Sequence, residues 1–202
     1  MANANKPMGL TPHSYLNGTR WTGQTTVYYV AASQSTAIAI GDPVVPTGDS
    51  DSNGVAGVTL ATGNADVSGT TGYILGACVG ILGNTYPTAP TSQFAAVKVP
   101  ASSSSAYYIE VCDDPMVVYE IQEDSVGNNL AHGDVWNGFD LVSAADNGYV
   151  SGWMLDSSTG GSSNKQVQVL RLVQRADNAI GQYAKWLVRI IAHPWNAPVS
   201  PF

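Results

Sequence analysis

The side chains best spaced for chemistry lie in Asp49-Ser-Asp51-Ser-Asn53-Gly54, where carboxylates at alternate positions closed by a glycine can wrap oxygen ligands around calcium. The run opens like an EF-hand loop and does not finish as one. Its twelfth position is Leu60, where a bidentate Glu belongs, and no helical pattern flanks it. A solvated turn rich in Asx residues accounts for the same letters, so no metal is expected. The carboxylates Glu110, Asp113, Asp114, Glu120 and Glu123 would make the acid and base of a glycosidase only if two of them converged in a cleft. His13, His132 and His193 are scattered, with none at metal spacing from another His or a Cys. His132 reads as a turn residue and His193 as a strand-end residue. Cys78 and Cys112 sit among apolar, strand-forming neighbours and read as small buried thiols rather than a disulfide or a reactive pair.

Motifs that would override this reading are missing. There is no Gly-x-Ser-x-Gly elbow, no His-Glu-x-x-His and no Gly-x-x-x-x-Gly-Lys phosphate loop. Asn17-Gly-Thr19 matches a glycosylation sequon, but the opening Met1-Ala-Asn-Ala-Asn-Lys6 is polar, so export is not expected and the sequon carries no weight. The expectation is a protein with no catalytic residue and no cofactor.

Composition points to another occupation. Only 11% of the 202 residues are charged, where an ordinary soluble domain carries roughly a quarter. Surface charge keeps proteins apart in solution, so this shortage, with five Trp and ten Tyr, implies an exterior largely covered by partners. A net charge of −7 argues against nucleic acid, whose phosphates need a basic face. The most apolar run, Tyr73 to Leu82, is about half the length of a bilayer-spanning helix and is broken by glycines, so no membrane is expected.

The elements that must position these residues read as strands. From Thr25 onward, short β-branched and aromatic runs alternate with Gly, Asn, Asp and Ser clusters, which predicts an all-β fold, an antiparallel sandwich or barrel of roughly eight to ten short strands. The strands are expected at 26–30, 37–40, 55–60, 73–82, 94–99, 106–112, 116–122, 148–153, 166–173 and 186–191. Turns or short helices fit 126–134 and 177–184, and surface loops fit 62–71 and 157–164.

The ends differ from this body of residues 25–192. Residues 1–24 carry Pro7, Gly9, Pro12, Gly18 and Gly23, and residues 193–202 carry three prolines, so both are expected to be irregular, an N-terminal arm and a C-terminal tail. Their aromatics Tyr15, Trp21, Trp195 and Phe202 gain little from standing in water and are the expected contact residues. Charge is divided too: ten of the fifteen acidic residues lie between Glu110 and Asp156, and five of the eight basic ones lie in the final forty positions. Either the basic segment folds back on its own domain or it meets the acidic segment of a neighbouring copy.

Several segments in order resemble the head decoration, or cement, proteins of tailed bacteriophages. They are Pro7-Met-Gly-Leu-Thr-Pro12 with Tyr15-Leu-Asn-Gly18, Tyr28-Tyr-Val-Ala-Ala-Ser33 leading to Ile40-Gly-Asp-Pro-Val44, and Ile74-Leu-Gly-Ala-Cys-Val-Gly80. They continue with Asp113-Asp-Pro115 running into Tyr119-Glu-Ile-Gln-Glu-Asp124, then Leu172-Val-Gln-Arg-Ala-Asp-Asn178 before Ala184-Lys-Trp-Leu-Val-Arg-Ile190. The resemblance implies a non-enzymatic virion component made in the host cytoplasm. It would be a multimer on the capsid exterior. The shortage of charge and the split of acidic and basic segments favour a homo-oligomer, a trimer by preference, and a charge-poor body with irregular, aromatic-bearing ends suits the bridging of neighbouring subunits of the major capsid protein. Two other readings fit the residues: a carbohydrate- or receptor-binding head-fibre or tail module, with Trp and Tyr as the sugar platform, and a hydrolase with an acidic pair. Aromatics gathered in one concavity would favour sugar, and aromatics spread over the ends and a flat face would favour capsid contact.

Overall fold

A computed structural model of the chain describes residues 3–64, 67, 72–84 and 97–196. Phe202, the start of the strand expected at 94–99 and most of the loop expected at 62–71 lie outside the described residues.

The fold is all-β. Fourteen strands are present among the described residues: β1 Thr11–Tyr15, β2 Thr26–Val30, β3 Ile38–Ala39, β4 Pro43–Ser50, β5 Ala56–Leu60, β6 Gly76–Gly83, β7 Lys98–Val99, β8 Tyr107–Cys112, β9 Val117–Gln122, β10 Gly138–Phe139, β11 Leu141–Val142, β12 Met154–Leu155, β13 Val167–Leu172 and β14 Lys185–Ile190. The count exceeds the expected eight to ten because five of them are two-residue pieces. Strands β2, β5, β4, β6 and β8 close a barrel, and β1, β9, β14, β13 and β10 form a five-stranded sheet beside it. Pairing is antiparallel except between β2 and β5. The only helix among the described residues is a single 3-10 turn at His132–Asp134, inside the segment expected to turn.

Side-chain alternation explains how barrel and sheet share a wall. In β6 and β8 the register partners Cys78 and Val111 fill the barrel core, while the partners Ala77 and Cys112 point the other way into the core beneath the sheet. The sheet covers that second core with Val117, Tyr119 and Ile121 of β9 and Trp186, Val188 and Ile190 of β14. In β13, Val167 and Val169 face the core, and a bulge at Leu170 advances the phase so that Leu172 also packs against it.

Two expectations fail here. The strand expected at 148–153 is a loop touched by one isolated bridge at Val150, and the ladder forms at Met154–Leu155 instead. The N-terminal segment is not irregular throughout, because Thr11–Tyr15 forms the edge strand β1 against β9. Proline is tolerated on such an edge, and the register is bulged between Pro12 and Ser14. Leu10, just ahead of β1, is fully buried in the sheet core. It is held where the Leu10 amide donates to the Gly41 carbonyl (2.9 Å). The crossing is so close that a Cβ on Gly9 would lie 2.2 Å from the Gly41 oxygen, and one on Gly41 would lie 2.1 Å from the Met8 oxygen.

Part of the charge division is satisfied inside one chain. Lys165 pairs with Asp140 at 2.7 Å and Arg175 with Glu120 at 2.9 Å, so the basic segment folds back on the acidic one. These pairs therefore give no support to association between copies.

Candidate functional site

The residues that sequence reasoning offered for chemistry are held in structural work. Asp51 accepts from the Asn53 and Val55 amides at 2.8 Å each through Oδ1, and from the Tyr108 hydroxyl at 2.7 Å through Oδ2. Those bonds, the Tyr108 bond first, hold its carboxyl below the usual range, and the two amide bonds form an Asx turn in the β4–β5 hairpin. Among the described residues no three His, Cys, Asp or Glu side chains gather as a metal site would need.

The five acidic candidates do not pair with one another. Glu120 binds Arg175, and buried Glu123 accepts from the Leu130 amide (2.9 Å) and the Trp186 indole (3.3 Å). Burial pushes the Glu123 carboxyl upward against the pull of those donors. Asp113 accepts from the Tyr28 hydroxyl (2.7 Å) and from Thr26 (3.2 Å), and Asp114 accepts from the Met116 amide (2.7 Å). Glu110 lies over Gly80 in the barrel wall, its Oε2 only 2.4 Å from where a Gly80 Cβ would stand. Cys78 and Cys112 are buried free thiols, pushed up to about 12 and about 11 by desolvation.

What the structure does bring together is the two end segments, at the corner between β8 and β9. On the N-terminal side, β1 pairs Tyr15 with Val117, and the Leu16 amide then donates to the Met116 carbonyl (2.9 Å). Residues 16–24 fold back on themselves: the Tyr15 amide donates to the Thr19 carbonyl (2.8 Å), the Tyr15 hydroxyl to Gln24 Oε1 (2.9 Å) and Gln24 Nε2 to the Thr22 hydroxyl (2.6 Å). Tyr15 and Trp21 pack half-buried against the sheet core. Burial, and after it the Asp114 carboxylate, raises the Tyr15 hydroxyl.

On the C-terminal side, His193 is buried with Nε2 between the carbonyl oxygens of Leu75 (2.7 Å) and Asp113 (3.1 Å). Two acceptors require Nε2 to carry the proton, which leaves Nδ1 to accept from the Trp195 amide (3.2 Å). Burial lowers the pKa of this neutral ring. Trp195 stands edge-on to His193 with ring centroids 5.3 Å apart, and is 58% exposed.

Three of the four expected contact residues, Tyr15, Trp21 and Trp195, thus belong to segments fastened to one corner, and the fourth, Phe202, is outside the described residues. Sequence reasoning missed the corner's exposed apolar members, Leu16 (40%) and Met116 (54%). Nothing in a lone Leu before Asn-Gly or a Met after Pro marks either as unburied. Matching the chain to protein-family models, curated proteins and solved structures finds no similar family, protein or fold.

Proposed function

We propose that this chain is a non-enzymatic structural protein of a tailed-phage virion, which binds the outside of the capsid and stabilises it by bridging neighbouring subunits of the major capsid protein. The observation that carries the reading is the β8–β9 corner. Leu16 and Met116 present apolar side chains to solvent on a cross-braced loop, next to half-buried Tyr15 and Trp21. A preorganised apolar surface loses little entropy on docking, and aromatic anchors of this kind dominate interface energies. The shortage of charge removes the desolvation cost that Lys and Glu would add at such a contact.

The sheet edges bear on the mode of contact. The Thr19–Trp21 return bridges Ser14 to Arg20 beside β1, and Gly161 bridges Gly138 beside β10. These bridges partly cover the two edges of the five-stranded sheet, which favours attachment through side chains over strand addition there. As a homotrimer, each copy would add a further contact at high effective concentration, and binding the assembled shell and not its free subunits would stabilise the shell by mass action.

The test is reconstitution. Purified chain added to particles that lack it should saturate at a fixed copy number per capsid protein and raise the temperature at which the shell opens. A chain that sediments separately from the particles would refute the proposal.

A further inference from the structure

Beyond the corner, one concavity carries a different chemistry. A groove of about 360 Å³, within the ~300–1,000 Å³ typical of small-molecule sites, opens beside Trp136. Trp136 is 66% exposed and sits at φ +74°, a backbone region that strains any bulky L residue. The conformation is enforced from both sides. The Trp136 amide donates to the Val169 carbonyl (2.8 Å), the Val169 amide donates to the Asn137 carbonyl (3.0 Å), and Gln168 Nε2 donates to the Trp136 carbonyl (2.9 Å). Strain that the surroundings hold in place at an exposed aromatic ring is a mark of a functional position.

The rest of the lining says what the ring would meet. Tyr73 supplies a second aromatic side chain, and Ser162, Ser163, Asn164 and Asn196 supply neutral polar groups whose side chains bond to no other described residue. Lys165, the one cation among the described residues of the lining, is neutralised by Asp140 at 2.7 Å. A groove without net charge, lined by two aromatic side chains and unused hydroxyl and amide groups, fits a ligand with apolar C–H faces and a rim of hydroxyls. A phosphate or carboxylate would find no free cation among the described residues there, and a lipid chain would leave the polar rim unsatisfied. We infer that the Trp136 groove is a binding site for neutral saccharides. It is a second function distinct from capsid attachment: the Trp136 ring and most of the lining lie on β10, β13 and the loops beside them, and only Ile191, Ala192 and Asn196 come from the C-terminal segment that also reaches the β8–β9 corner.

The experiment titrates the full chain with chitotriose, cellotriose and maltotriose, read by saturation-transfer NMR and calorimetry, with melting curves alongside. At least one trisaccharide should bind with a Kd of about 1 mM or tighter, and Trp136→Ala should weaken it by at least about tenfold. Trp136→Gly should abolish binding yet melt no lower than the native chain, because glycine accepts this φ without strain. The inference is overturned if none of the three binds at about 10 mM, if Trp136→Ala binds as well as the native chain, or if Trp136→Gly melts several degrees lower, which would make the ring structural. Because the substitutions are at Trp136 and not at the β8–β9 corner, a failure here leaves the reconstitution as a separate test of attachment to capsids.

Discussion

The Leu16 amide donates to the Met116 carbonyl at 2.9 Å while both side chains remain in solvent, 40% and 54% exposed. One backbone bond thus fixes two apolar residues as neighbours on the surface without burying either. Replacing both with aspartate should change folding stability by no more than about 0.5 kcal/mol per site, as surface substitutions do. Attachment to shells should weaken at least about tenfold, since a charge at an interface centre is costly to desolvate. Cosedimentation with particles and a melting curve on the same preparation separate the two effects.

The N-terminal segment makes a contrary demand. Leu10 is fully buried and β1 completes the sheet, so Leu10→Ala should cost about 2–5 kcal/mol in urea unfolding. A chain lacking residues 1–24 should lose its cooperative melt. A truncated chain that melted like the full one would show that β1 contributes nothing to the core.

Much of this was legible from residue spacing. The runs at Thr26–Val30, Tyr107–Cys112, Val117–Gln122 and Val167–Leu172 are strands within a residue or so of their expected limits, because β-branched and aromatic clusters bounded by turn residues carry a local signal. The strand Pro43–Ser50 was hidden by two prolines, a glycine and an Asp, residues that strands disfavour and that a hairpin partner can still accommodate. The strand at Thr11–Tyr15 was hidden in the same way, its pairing being dictated by a partner more than a hundred residues away. The aromatics at the two ends pointed to the site, but the corner joining them depends on tertiary bonds, Leu16 to Met116 and His193 to Asp113, that no local pattern encodes.

His193 should make stability sensitive to acid. Its folded pKa lies below the free value of 6.5, so the unfolded chain takes up the proton first. The contribution is complete above about pH 6.5 and is lost as pH falls toward the lowered folded value. Asp42 and Glu123 act oppositely: burial raises their carboxyls, so the folded state binds those protons more readily and is favoured by acid. Urea unfolding between about pH 7 and 5 should therefore show falling stability for the native chain and a flat or rising trend for His193→Gln. Parallel slopes in the two chains would contradict the assignment.

The two cysteines should be inert in the folded protein. Both are buried, with thiols pushed up to about 12 for Cys78 and about 11 for Cys112, so the reactive thiolate is scarce near neutral pH. An alkylating reagent followed by mass spectrometry should label neither without denaturant and both with it. Rapid labelling of the native chain would mean that the wall shared by barrel and sheet opens readily.

The central claim is attachment to the capsid exterior, and a cryo-EM reconstruction of the particle carrying this chain tests it most directly. The account predicts barrel-and-sheet density on the outer surface of the shell, with Leu16, Met116 and the neighbouring Tyr15 and Trp21 against the major capsid protein. A particle without such density, or one in which the chain sits on the tail with the β8–β9 corner facing solvent, would contradict it.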